Sequence, residues 1–282
     1  MSSAEPATCV YVSTSRDHPL HLWDAFTGSL RATYRAYDHL DEVAAANSVC
    51  FNTSGVVVFT AHNADHNAGK CLAPETGYNR MIRVFDVSEP GRSFEARPTC
   101  KTRKSPIGQR GIISALAFSP DPSGGGLFAA GSYARTICLY SANRCVAMIA
   151  EFSTSTMGGV THLTFSPDGR LLFSGSRKDP DIVCWDVRQT RQALNTFRRD
   201  ADTNQRITFD IDPSGRYLAS GSVYQEVVLY DIEKQVLAGR ISHQADAVSS
   251  VSFHPHAPLL AIGTGQRHFD FDLDGSAGSD SD

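Results

Sequence analysis

The side chains best able to bind or react recur as cations beside tyrosines and amides. Tyr133 stands near Arg135, Arg177 beside Lys178 and Gln205 beside Arg206, with Arg110 and Arg267 isolated. A guanidinium can grip a phosphate through two parallel hydrogen bonds and stack on a splayed base, and an amide can read a base edge. That set suits single-stranded RNA. Catalysis finds no comparable support. No Ser/His/Asp set, paired carboxylates or glycine-rich phosphate loop stands out, and Gly124 to Gly126 reads as an interstrand turn because no helix follows it. His62, His66 and Cys71 fall in one polar stretch, but a zinc site needs four well-placed ligands. The chain is expected to be no enzyme, with no metal, no cofactor and no small-molecule substrate.

Composition gives the cations no advantage. In 282 residues, 26 Lys and Arg face 30 Asp and Glu, for a net charge of -4, so a nucleic-acid reading must rest on where the charges lie. Hydrophobic residues make up 41%, enough for a substantial core. No stretch approaches the roughly 18 apolar residues of a membrane span, and MSSAEPATCV lacks the charged and apolar regions of a signal peptide. The seven cysteines are irregularly placed, and Cys50, Cys138 and Cys184 sit in apolar runs where a thiol acts as a small hydrophobe. This pattern predicts a reducing compartment, cytosol or nucleus.

The elements that must position these residues repeat. Five segments end alike: HLWD (21–24), VFD (84–86), LYS (139–141), CWD (184–186) and LYD (229–231). Four are preceded by a related unit, as in VTHLTFSPDGRLLFSGS and RITFDIDPSGRYLASGS, and a further copy starts at Ala247. Asp186 and Asp231 are 45 residues apart, the period of a four-stranded WD40 blade. In one unit, Val160, Leu163 and Phe165 form a strand and Ser166 to Gly169 a turn. Leu171 to Phe173 form the next strand, and Ser174, Gly175 and Ser176 are small enough for neighbouring blades to approach closely. One such sheet cannot bury both faces alone, so its copies must stack around an axis. The predicted fold is all-β, an incomplete WD40 β-propeller over residues 1–273 with about five recognisable blades plus partial strands. The polar insert 61–79 is expected to be a surface loop and the acidic tail 274–282 to be disordered. The first unit shows only second and third strands, CVYVST and PLHLWD, and the last degrades after Thr264 into Phe269 to Leu273, so the ring is expected not to close.

Loops between second and third strands, and those joining blades, open on one face of a propeller. There they collect Arg16, Arg110, Arg135, Arg177, Lys178, Arg206 and Arg267, with Lys101 to Lys104 and Arg198-Arg199 at the rim. Tyr133, Tyr224, Gln205 and Gln266 are interleaved. The opposite loops carry Glu89, Asp121, Asp168 and Glu233, although Arg92, Arg170, Arg188 and Arg216 weaken the contrast. Asp179 or Asp181, and Asp17, are expected to brace turns through backbone amides. His162 and His243 read as structural histidines.

Several segments go beyond a generic repeat. RDHPLHLWDAFTGSLRATYRAYDHLDE (16–42), RGIISALAFSP (110–120), GSYARTICLY (131–140), GVTHLTFSPDGRLLFSGSRKD (159–179), DTNQRITFDIDPSGRYLASGS (202–222) and GTGQR (263–267) strongly resemble the telomerase Cajal body protein 1 family. The resemblance implies a seven-bladed type of propeller, covered here without one blade, the final strand and an N-terminal extension. It also implies recognition of a short loop motif in box H/ACA small Cajal-body RNAs and in telomerase RNA, partnership with H/ACA ribonucleoprotein and Cajal-body proteins, and residence in the nuclear Cajal body. The competing class is a protein–protein scaffold, because Trp185-Asp186-Val187-Arg188 matches the W-D-x-R box of substrate receptors for cullin-RING ubiquitin ligases.

Overall fold

The computed structural model describes residues 9–15, 18–37, 43–62, 81–99, 108–109, 111–121, 126–141, 144–151, 158–242 and 246–265. Among these the regular structure is entirely β, in six antiparallel sheets that follow the repeat. The first holds three strands: β1 (Val10–Ser13), β2 (Leu20–Asp24) and β3 (Leu30–Tyr34). Four sheets of four follow. They are β4 (Ala46–Phe51), β5 (Val57–His62), β6 (Met81–Asp86) and β7 (Glu95–Pro98); then β8 (Ile113–Phe118), β9 (Phe128–Ser132), β10 (Thr136–Ser141) and β11 (Arg144–Glu151). The next two are β12 (Val160–Phe165), β13 (Leu171–Ser176), β14 (Asp181–Asp186) and β15 (Asn195–Arg198), and β16 (Phe209–Ile211), β17 (Tyr217–Ser220), β18 (Glu226–Asp231) and β19 (Val236–Ser242). The last sheet pairs β20 (Val248–Phe253) with β21 (Leu260–Thr264). The five units read from the sequence are thus the first five sheets, and the extra copy at Ala247 is the sixth.

Burial explains the composition of each strand. The middle strands β13 and β14 are covered on both sides by neighbouring sheets, so they run nearly unbroken in apolar and small residues. The outermost strands β15 and β19 face solvent and are polar or mixed. A separate apolar core fills each gap between consecutive sheets. Leu22 and Tyr34 meet Phe85, Phe59 meets Phe128, and Leu139 meets Val160 and Trp185. Phe173 meets Phe209, and Val227 meets Val248. Stability therefore resides in nearest-neighbour interfaces.

Close approach at the inner edge needs the small residues. A Cβ on Gly131 would lie 2.4 Å from Val160 Cγ1, and one on Gly221 would lie 2.2 Å from the Val248 carbonyl oxygen. Side chains then stitch successive inner strands. Ser48 Oγ accepts the Leu116 amide at 3.0 Å, Ser114 Oγ donates to the Val160 carbonyl, and Thr208 Oγ1 accepts the Val251 amide at 3.3 Å. Each tryptophan bonds the serine of the strand before it: Trp185 Nε1 donates to Ser174 Oγ at 2.9 Å and Trp23 Nε1 to Ser13 Oγ at 2.8 Å. This shared contact makes β1 and β2 the counterparts of β13 and β14, second and third strands of a blade. The structure adds β3 as the outer strand of that three-stranded sheet, the counterpart of β15, which the sequence reading did not include.

Among the described residues no ladder joins the first sheet to the last. The insert 61–79 begins later than the sequence reading placed it, since Ala61 and His62 belong to β5 and Ala61 is buried rather than exposed. The rest of the insert, Phe269 to Leu273 and the tail 274–282 lie outside the described residues, as do Arg16, Asp17, Lys101 to Lys104, Arg110, His243, Gln266 and Arg267.

Candidate nucleic-acid interface

The turns β9–β10, β13–β14 and β17–β18 open on one face, with the linkers that lead into β12 and β16. Each turn places one non-glycine residue in the left-handed region: Arg135 at φ 64°, Lys178 at φ 52° and Gln225 at φ 62°. Among the described residues these are three of the four non-glycine positions with positive φ. Such a backbone costs an ordinary residue roughly 1 kcal/mol, which glycine would avoid. Long polar side chains are held there at that cost, a pattern that concentrates at working surfaces.

The contacts converge on Tyr133. The Arg177 guanidinium carbon lies 4.4 Å from the centre of the Tyr133 ring, and Arg177 Nη2 donates to the Tyr133 hydroxyl at 3.0 Å. The linker into β12 runs between the two turns. The Arg177 amide donates to the Gly159 carbonyl and the Gly158 amide to the Arg177 carbonyl, both at 3.0 Å. Only glycines fit: a Cβ on Gly158 would meet the Arg177 carbonyl oxygen at 2.5 Å, and one on Gly159 the Tyr133 Cα at 2.5 Å. On the other side, the Lys178 amide donates to the Thr203 carbonyl at 3.1 Å, and the Gln205 amide to the Thr203 hydroxyl at 3.1 Å. Thr203 therefore ties the Arg177-Lys178 turn to the Gln205-Arg206 linker.

Arg206 is held from below by His162. The His162 Nε2 faces the Phe209 carbonyl at 3.0 Å, an acceptor only, so Nε2 carries the proton. Nδ1 is then a lone pair facing Arg206 Nη2 at 3.4 Å. The His162 ring also meets the Phe209 ring edge-on at 4.8 Å. Burial, and then the nearby Arg206 charge, push the His162 pKa down to about 3, against the opposing pull of the Phe209 carbonyl. The imidazole is neutral at physiological pH. Protein packed around the Arg206 guanidinium lowers its pKa, and the neighbouring Tyr133 opposes this, although the side chain keeps contact with solvent.

Neither Arg177 nor Arg206 forms an ion pair with a carboxylate among the described residues, and Arg177 Nε is buried without a partner. The opposite face differs. There Arg188 pairs with Asp186 at 2.9 Å, Arg216 with Asp231 at 3.1 Å and Arg170 with Asp168 at 3.8 Å, and Arg31 pairs with Asp24. Arg92 covers the Tyr37 ring at 3.8 Å. The arginines that blurred the contrast in the sequence are largely neutralised by their own turns.

Of the eight binding residues read from the sequence, Tyr133, Arg177 and Arg206 come together, and Lys178 and Gln205 flank them. Arg135 shares the Tyr133 turn and is half-buried. Arg110 and Arg267 lie outside the described residues. Arg199 is a correction. It is 2% exposed rather than at the rim, because the linker turns it inward over the Phe209 ring at 5.4 Å. Its Nη1 donates to the Ile207 carbonyl at 2.9 Å and to Ser220 Oγ at 3.3 Å. Burial lowers its pKa to about 10. Asp179 accepts the Asp181 amide at 3.0 Å, the expected turn brace, and burial raises its pKa. Sequence reasoning missed the Gly158-Gly159 wedge and the His162 contact to Arg206. The available signals were a glycine pair directly before an inner strand and a histidine inside an apolar one.

The comparisons with known proteins agree with the repeat. Residues 147–186, which include Gly158, Gly159, His162, Arg177 and Lys178, match the WD domain, G-beta repeat family. The chain is 44% identical over 283 residues to telomerase Cajal body protein 1 of Mus musculus, an alignment covering 95% of the chain. It is 32% identical over 285 residues to the telomerase Cajal body protein 1 homolog of Drosophila melanogaster, again over 95% of the chain. Over that shared stretch the chain is similar to the telomerase Cajal body protein 1 proteins. It spans about half the length of these relatives, 47% of the mouse protein and 45% of the fly protein. A more distant similarity, 26% over 226 residues, links it to guanine nucleotide-binding protein negative regulator 1 of Schizosaccharomyces pombe, across 79% of the chain and 52% of that protein.

Proposed function

We propose that the chain is a non-catalytic scaffold that binds single-stranded loops of box H/ACA small Cajal-body RNAs and of telomerase RNA. It brings them, with H/ACA ribonucleoprotein and Cajal-body proteins, to the nuclear Cajal body. The observation that carries the reading is the convergence of Arg177 and Arg206, neither paired to a carboxylate among the described residues, beside the exposed Tyr133 ring. Unneutralised guanidinium groups supply phosphate contacts, and an aromatic face supplies sequence-tolerant stacking. The W-D-x-R alternative has less to offer a partner, since Arg188 donates to Asp186 through both Nε and Nη2.

Ultraviolet crosslinking in cells, followed by mapping of the RNA-linked peptides, tests the proposal. Small Cajal-body RNA should be recovered, attached to peptides that contain Tyr133, Arg177-Lys178 or Gln205-Arg206. Recovery of ubiquitin-ligase subunits without RNA, or crosslinks confined to the Asp168, Asp186 and Asp231 turns, would overturn it.

A further inference from the structure

We infer that Tyr133 is a single-base platform that, with Arg177 behind it and Arg206 beside it, takes one unstacked nucleotide of the bound RNA. The inference rests on the RNA-binding reading and assigns it one subsite. Tyr133 retains 39% of its surface although a guanidinium covers one face of its ring. A tyrosine this exposed would ordinarily sample several rotamers. Here the ring is fixed three ways: by the Arg177 stack, by the hydrogen bond to its hydroxyl, and by the Gly159 backbone, where a Cβ would fall 2.9 Å from Tyr133 Cδ1. Ordering is therefore complete before any ligand arrives, which lowers the entropy cost of stacking.

The charges around the ring specify a nucleotide rather than a neutral aromatic group. Arg177 keeps one buried donor, Nε, unused, and Arg206 is aimed by the neutral His162 lone pair, not by a carboxylate. Two cations next to one aromatic face match a base flanked by its own phosphates. Tyr224 offers a contrast. It is 70% exposed on the same face, and among the described residues no guanidinium covers its ring. One prepared platform implies one flipped base. His162 is a positioning residue for Arg206.

The test uses the full chain and a box H/ACA guide-RNA hairpin carrying 2-aminopurine at each loop position in turn. One position should be quenched on binding. Tyr133→Phe should retain the quench, because the ring face remains. Tyr133→Ala should abolish it and weaken binding about tenfold without lowering the melting temperature. Arg206→Ala should weaken binding and leave the quench intact. If the wild-type chain binds the hairpin but quenches no position, or Tyr133→Ala binds and quenches like wild type, the platform is refuted while the RNA reading stands. If the wild-type chain fails to bind the hairpin at all, the RNA reading fails and the platform falls with it.

Discussion

His162 should make the fold acid-sensitive in a way that can be isolated. Its imidazole is neutral in the folded protein because burial and the Arg206 charge depress its pKa to about 3, whereas an unfolded histidine titrates near 6.5. The sign follows from linkage. A depressed folded pKa contributes stability that is fully present above the unfolded value and is lost as pH falls toward the folded value. Between pH 7 and pH 5 the unfolded chain takes up a proton that the folded chain refuses, which costs about 2 kcal/mol. The perturbation is His162→Gln. A glutamine amide can still donate to the Phe209 carbonyl and accept from Arg206, but it does not titrate. Urea denaturation of both proteins at pH 7, 6 and 5 is the assay. The wild type should lose about 2 kcal/mol more than the variant across that range. Parallel losses would show that His162 protonates freely in the folded state, and the argument that it presents a lone pair to Arg206 would fail.

Other outcomes follow from the same contacts. Arg199→Met should lower stability by about 2–3 kcal/mol, measured by chemical denaturation, because the Ile207 carbonyl loses its charged donor inside the fold. Gly221→Ala should cost about 1–3 kcal/mol by the same measurement, since the new methyl would press on the Val248 backbone carbonyl, which has no flexible end to move aside. Brief iodoacetamide treatment at pH 8 should alkylate the exposed Cys9 and spare Cys50 and Cys184, whose thiols burial pushes up to about 12; peptide mass spectrometry reads the pattern.

The architecture was legible because its signals are local and repeated. A glycine-ended turn, Ser166 to Gly169 in one unit and Asp212 to Gly215 in the next, stands at closely similar spacing before a Trp-Asp or Tyr-Asp strand end, with Gly169 at φ 70° and Gly215 at φ 76°. Strand β3 escaped notice because Leu30 to Tyr34 is half-exposed and carries no turn or repeat signature of its own. The candidate site was legible only as a set of residue types on one face. Arg199 and Arg206 belong to the same linker, and nothing in their neighbours tells which points inward. That choice is made by Phe209 and the Ile207 carbonyl, after the chain has turned into the next blade. Left-handed turn positions were also hidden, since Arg135, Lys178 and Gln225 occupy places where sequence rules expect glycine or asparagine. The Gly158-Gly159 wedge has meaning only once two turns from different blades close on it.

The central claim is that unpaired guanidinium groups on this face contact RNA phosphates. The salt dependence of RNA binding tests it most directly, comparing the wild-type chain with Arg177→Ala/Arg206→Ala on a small Cajal-body RNA. Each lost phosphate contact on a single strand should reduce the slope of log affinity against log salt by about 0.7, so the double variant should flatten it by about 1.4. Its melting temperature should be unchanged, because neither side chain is paired to a carboxylate among the described residues. A double variant that melts early, or that binds RNA with the wild-type slope, would contradict the account and make these arginines structural.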